Sequence, residues 1–76
     1  MTISPEQCRA ARAIVSLSQD ELARRAQVAR ATLADFERGE RTPHPRNMAA
    51  IREALEAAGV EFTPDGGVRP RAGTCT

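Results

Sequence analysis

All eleven basic side chains of this sequence are arginines and none is a lysine. Arginine's planar fork of donors suits phosphate and guanine wherever several such side chains gather. The other chemically versatile residues are sparse. His44 is the only histidine, it lies between Pro43 and Pro45, and no serine, cysteine or carboxylate is spaced to work with it, so an acid–base or nucleophilic site, and with it an enzyme, is not expected. Cys8 and Cys75 stand near opposite ends of the chain, a spacing that fits neither a metal site nor the disulfide framework of a small secreted domain and implies a reducing compartment. No Gly-rich phosphate loop and no metal-ligand spacing occurs, so neither a cofactor nor a metal is expected. The chemistry on offer is recognition by arginine.

That recognition must be local, because eleven basic residues against ten acidic ones leave a formal net charge of only +1, which excludes a bulk polycation. The charges are segregated. Residues 24 to 46 hold Arg24, Arg25, Arg30, Arg38, Arg41 and Arg46 against Asp35, Glu37 and Glu40, a local net of +3. Residues 47 to 68 hold Arg52 against Glu53, Glu56, Glu61 and Asp65, a local net of −3. The near-neutral whole hides a dipole whose positive end is the place to look for a nucleic-acid partner.

The elements that must present this patch are helical. At 76 residues the chain has room for one domain, burying about 60% of the surface its unfolded form exposes and leaving no space for a large cleft. Phe36 and Phe62 are the only aromatics and the apolar fraction is 41%, which favours a thin helical core over a sandwich. The first residues show no basic segment followed by an apolar one, and no apolar run approaches about 18 residues, so a cytoplasmic chain with no membrane partner is expected.

Ser4-Pro5-Glu6-Gln7 is a capping-box start for a first helix over residues 5 to 15, with Cys8, Ala11 and Val15 on its inner side and Arg12 close by. Cys8 is read there as a small core residue. Ser18-Gln19-Asp20-Glu21 repeats the signature for a short second helix ending near Ala26. A tight connector, Gln27-Val28-Ala29, leads into a third helix over Arg30 to Arg38, with Leu33 and Phe36 inward and Gly39 closing it in the left-handed conformation. A fourth helix starts at Pro45 or Arg46, capped by His44, buries Met48, Ile51 and Leu55, keeps Arg52, Glu53 and Glu56 wet, and stops at Gly59. Val60-Glu61-Phe62-Thr63, a Pro64-Asp65-Gly66-Gly67 turn and Val68-Arg69 then read as a β-hairpin. The organisation expected is a domain over residues 1–59, a hairpin extension over 60–70 and a disordered tail over 71–76.

Two short helices joined by three residues form a helix-turn-helix. Here Ser18 and Gln19, the small Ala23, the aliphatic Leu33 and the Glu37-Arg38-Gly39 close followed by Thr42-Pro43 together resemble the Xre/Cro-type repressor domains of phages and bacteria, over residues 5 to 58. The resemblance implies an all-α fold, a four-helix repressor-like DNA-binding domain to which this chain adds a C-terminal β-hairpin. It also implies a structural ion pair between Arg12 and Glu37. Two positions depart from the pattern: Gln27 stands where the family usually has glycine, requiring a positive φ or a reshaped turn, and Ala29 stands where it usually has a serine or threonine cap.

The function implied is a sequence-specific transcriptional regulator that binds double-stranded DNA as a homodimer on a palindromic operator, one recognition helix in each of two successive major grooves. Arg30 is the expected guanine reader, Ala31 and Thr32 meet a thymine methyl, and Asp35 accepts from a cytosine amino group or excludes other bases. Gln19, Arg38, Arg41 and Thr42 are expected to hold phosphates; Arg24 and Arg25 are phosphate contacts or a wet helix end. An alternative from another class is a protein-binding antiactivator or antitoxin-like module that masks a partner regulatory protein, motivated by the modest net charge and by Asp35 and Glu40 interrupting the basic face. The hairpin, with Val60 and Phe62 on one face and Val68 beside them, is marginal alone and is expected to join the dimer interface with Phe62 as anchor. In the other arrangement Phe62 folds onto the first and fourth helices of its own chain and the fourth helix makes the dimer.

Overall fold

The computed structural model describes residues 3–71, so Cys75 and most of the expected tail lie outside the described residues. Helix α1 spans Pro5–Val15, α2 Gln19–Ala26, α3 Arg30–Glu37 and α4 Pro45–Ala58, followed by strands β1 over Val60–Phe62 and β2 over Val68–Pro70. Local chemistry sets most of these bounds. Both expected capping boxes form: Gln7 N donates to Ser4 Oγ at 3.1 Å and Ser4 N to Gln7 Oε1 at 2.8 Å, while Glu21 N donates to Ser18 Oγ at 3.1 Å and Ser18 N to Glu21 Oε1 at 3.1 Å. His44 caps α4, its Nδ1 accepting from Arg46 N at 3.1 Å. Gly39 turns the chain out of α3 at φ 78, and Gly59 ends α4 at φ 124, conformations glycine adopts without steric cost.

One core runs through the four helices and β1, with Val68 of β2 packed against it. Cys8 and Ala11 of α1 meet Leu22 and Ala23 of α2, Leu33 and Phe36 of α3, Met48, Ile51 and Leu55 of α4, and Val60 and Phe62 of β1. Ile3 and Leu17, which flank α1, are also buried. Against the expectation of a wet face, Arg52 and Glu56 are half-buried and pair at 3.1 Å one helical turn apart. No helix among the described residues is long and apolar enough to cross a membrane.

The strands pair antiparallel with Val60 opposite Pro70, Glu61 opposite Arg69 and Phe62 opposite Val68, and Arg71 N extends the ladder to Gly59 O at 2.8 Å. Thr63, Asp65 and Gly67 knit the turn, with Gly67 N donating to Thr63 Oγ1 at 2.9 Å. A Cβ on Gly67 would come within 2.9 Å of that same oxygen, so the turn needs glycine there. The hairpin is no separate extension. Val60 is fully buried and Phe62 keeps 8% of its surface, because both insert into the core of their own chain beside α1 and α4. The strand alternation correctly put them on one face; that face is covered intramolecularly, which corrects the expectation of Phe62 as an anchor held out to a partner.

Candidate nucleic-acid interface

Helices α2 and α3 cross over a turn that the sequence makes difficult. Gln27 takes the left-handed conformation at φ 58, a backbone state costing about 1 kcal/mol or more in any residue with a Cβ. It is held there by Gln27 N donating to Arg24 O at 3.2 Å and Val28 N to Ala23 O at 3.0 Å. The turn thus keeps its shape with glutamine where a glycine would fit freely. Ala29 sits in an extended conformation, φ −67 and ψ 137, as the N-cap of α3 and offers no side-chain hydrogen bond, leaving that end without about 1 kcal/mol of capping. Tertiary packing compensates: Leu33 is fully buried and Phe36 4% exposed against the core. Pinning α3 by those two residues turns Arg30 and Ala31 fully outward, with Thr32, Ala34 and Asp35 half-exposed.

The N-termini of α2 and α3 open onto one surface, because Arg30 at the start of α3 pairs through Nε with Oδ1 of Asp20 in the first turn of α2 at 2.7 Å. At the other end of α3, Arg38 is bonded to Asp35 and lies 3.4 Å from Glu40. Arg24, Arg25, Arg41, Arg46 and Thr42 are all exposed, and among the described residues none of these four arginines forms an ion pair. Arg24 and Arg25 lie in the last turn of α2, where positive charge also complements the helix dipole.

Beneath this surface is a buried cluster around Glu37, which is 2% exposed. Arg12 grips it with two donors, Nε to Oε2 and Nη2 to Oε1, both at 2.7 Å. Gln19 Nε2 donates to Oε1 at 2.9 Å and the Cys8 thiol to Oε2 at 3.1 Å. Arg9 Nη1 donates to the Glu37 backbone carbonyl at 3.0 Å, and Arg12 Nη1 to Leu17 O at 3.1 Å. Burial by itself raises the Glu37 carboxyl, but the hydrogen bonds from Arg12, Gln19 and Cys8 outweigh it and hold the group below the usual carboxylate range. Burial, reinforced by the Glu37 carboxylate, pushes the Cys8 thiol well up, so Cys8 is a proton donor to this cluster and a poor nucleophile.

The pair of Arg12 with Glu37 is present as the sequence suggested, and its further partners Cys8, Gln19 and Arg9 were not anticipated. For Cys8 a signal existed, since it lies one helical turn before Arg12 on the same face. Gln19, expected at a phosphate, is half-buried, and its amide nitrogen donates to Glu37. Arg38 also departs from expectation in being held by the carboxylates of Asp35 and Glu40.

Among the described residues no cluster of histidine, cysteine, aspartate or glutamate could hold a metal. A family model described as helix-turn-helix matches residues 9–62, running through α2, α3 and α4 and on into β1. Comparison with curated proteins gives no match.

Proposed function

The chain belongs to the helix-turn-helix family, of the Xre/Cro-like type, and is a DNA-binding regulator of transcription; from that premise we propose that it binds a palindromic operator as a homodimer, with α3 as the recognition helix of each subunit. The observation that carries this reading is the outward face of α3, where Arg30 is 64% exposed beside Ala31 while Leu33 and Phe36 anchor the opposite side. Arg30 reads a guanine, Ala31 and Thr32 meet the methyl of a neighbouring thymine, and Asp35 discriminates at the far end of the helix. Arg41 and Thr42, in the loop after α3, hold phosphates together with the first-turn backbone of α2; Arg38 joins them by exchanging a carboxylate for a phosphate. Gln19 supports this surface from beneath.

A second copy pairs on the outer face of the hairpin, where Glu61 and Arg69 stand, while Val60, Phe62 and the half-exposed Val68 pack on the core of their own chain. Arg69→Glu in the full chain then lowers the dimer fraction in sedimentation without unfolding the monomer.

A selection of random duplexes against the purified protein tests the reading directly. An enriched inverted repeat is expected, and enrichment of a single half-site would remove the dimer from it. On the enriched duplex, Arg30→Ala costs about 1–3 kcal/mol at one base position, whereas Arg41→Ala weakens every sequence alike and flattens the salt dependence by about one unit.

A second reading, that this surface masks a partner protein, draws on the carboxylates of Asp20, Asp35 and Glu40 standing against Arg30 and Arg38. Salt separates the two, since DNA affinity falls by decades between low and physiological ionic strength and a protein contact of mixed charge does not.

A further inference from the structure

Asp20 has no part in the DNA-binding scheme above, yet it is the residue that touches Arg30. Its Oδ1 lies 2.7 Å from Arg30 Nε, and the two side chains are 66% and 64% exposed. A pair so solvated adds little to stability; its effect is on direction and on charge. A guanidinium presents donors at Nε and at two terminal nitrogens. Asp20 approaches the guanidinium at Nε, and among the described residues no hydrogen bond or ion pair engages Nη1 or Nη2, so that end of the fork is free to meet N7 and O6 of a guanine. The carboxylate also cancels the positive charge that would draw Arg30 to any phosphate. Arg24, Arg25, Arg41 and Arg46 have no carboxylate within ion-pair distance among the described residues, and nothing restrains them from sequence-blind contact.

We propose that Asp20 is a positioning residue for base readout, holding Arg30 by Nε so that its terminal nitrogens address a guanine edge and not the phosphate backbone. The inference rests on the reading of Arg30 as the base-contacting residue. Asp20 complements the N-terminal dipole of α2 whatever it does for Arg30; beside Arg30 it also costs affinity for DNA in general and returns it as discrimination.

Equilibrium binding of the full-length protein separates the possibilities. Wild type, Asp20→Ala, Asp20→Asn, Arg30→Ala and the Asp20→Ala/Arg30→Ala double variant are titrated with the selected duplex, with its single-base variants at the Arg30 position and with random duplex. Asp20→Ala is expected to tighten random-duplex binding several-fold, to steepen the salt dependence by about one unit, and to reduce discrimination at the one Arg30 position by about 3–10-fold. Asp20→Asn, which keeps an acceptor for Nε without the charge, retains more of the discrimination. In the Arg30→Ala background, removal of Asp20 leaves base preference unchanged. If Asp20→Ala shifts all sequences by one factor, or if it alters base preference equally without Arg30, the positioning role is overturned while Arg30 remains the reader. If Arg30→Ala itself leaves base preference intact, the assignment of Arg30 has failed and the role of Asp20 with it. Melting curves confirm that each variant is folded, and Asp20→Asn keeps the test decisive should Asp20→Ala melt early.

Discussion

Two arginine–carboxylate pairs in this molecule have the same closest approach, 2.7 Å, and opposite character. Arg12 and Glu37 are 20% and 2% exposed, whereas Arg30 and Asp20 are 64% and 66% exposed. The inner pair is bidentate and its carboxylate receives two further donors, so removing one partner strands a charge away from water. The outer pair shares a single contact in high dielectric and can be exchanged for another partner at little cost. Distance alone therefore says nothing about role. Burial separates Arg12, which fixes the position of α3, from Arg30, which stays open to what α3 meets.

The comparison breaks most visibly at Glu37. Glu37→Ala is expected to destabilise the fold by about 3 kcal/mol or more in denaturant titration, and a midpoint equal to wild type would place Arg12 and Glu37 in the same weak class as the outer pair. Glu37→Gln, which keeps the shape but not the charge, should cost about 2 kcal/mol.

Acid sharpens the same contrast. Because the Glu37 carboxyl is held below its ordinary value, its contribution is complete above the unfolded-state value of about 4.3 and is lost as pH falls through the lower folded value. Urea midpoints should therefore drop more steeply below about pH 4.3 for wild type than for Glu37→Gln. Asp65 is also held low, chiefly by Thr63, but it is common to both proteins and cancels in the difference. Parallel curves would show that Glu37 is not the group responsible.

Smaller effects are expected at the turn. Ala29→Ser should stabilise by about 1 kcal/mol by capping α3. Gln27→Gly should stabilise by up to about 1 kcal/mol, relief of the left-handed strain being offset in part by the entropy of the unfolded chain. Thermal melts measure both, and a loss of stability in either would mean that the turn is shaped by something other than its backbone. At the bottom of the scale, Asp20→Ala and Arg30→Ala should each change stability by less than about 0.5 kcal/mol.

The helices were legible because their punctuation is local. Ser4 with Gln7, Ser18 with Glu21, Gly39 and Gly59 act through the backbone of their own neighbours, so their consequences can be read without knowing the fold. The departures lie where a long side chain chooses between distant partners. Gln19 at a helix start announces where the backbone begins, but not that its amide will reach Glu37, 18 residues on. Cys8 reads as core from its spacing, while its hydrogen bond spans 29 residues. Phe62 falls correctly on a strand face, yet alternation cannot say which surface covers that face. Arg52 and Glu56 are the instructive miss: their four-residue spacing on a helix already implies a pair.

The Gln7 side chain carries one more implication. Its Oε1 completes the cap of α1 while its Nε2 donates to Gly67 O at 3.1 Å, across 60 residues of chain. The same carbonyl accepts from Thr63 N at 3.0 Å, so one amide ties the beginning of the first helix to the tip of the hairpin. Closing so long a loop is entropically unfavourable until the intervening helices have condensed. The hairpin should therefore dock last in folding and detach first in the native state, with its amides exchanging hydrogen through a sub-global opening while those of α2, α3 and α4 wait for complete unfolding.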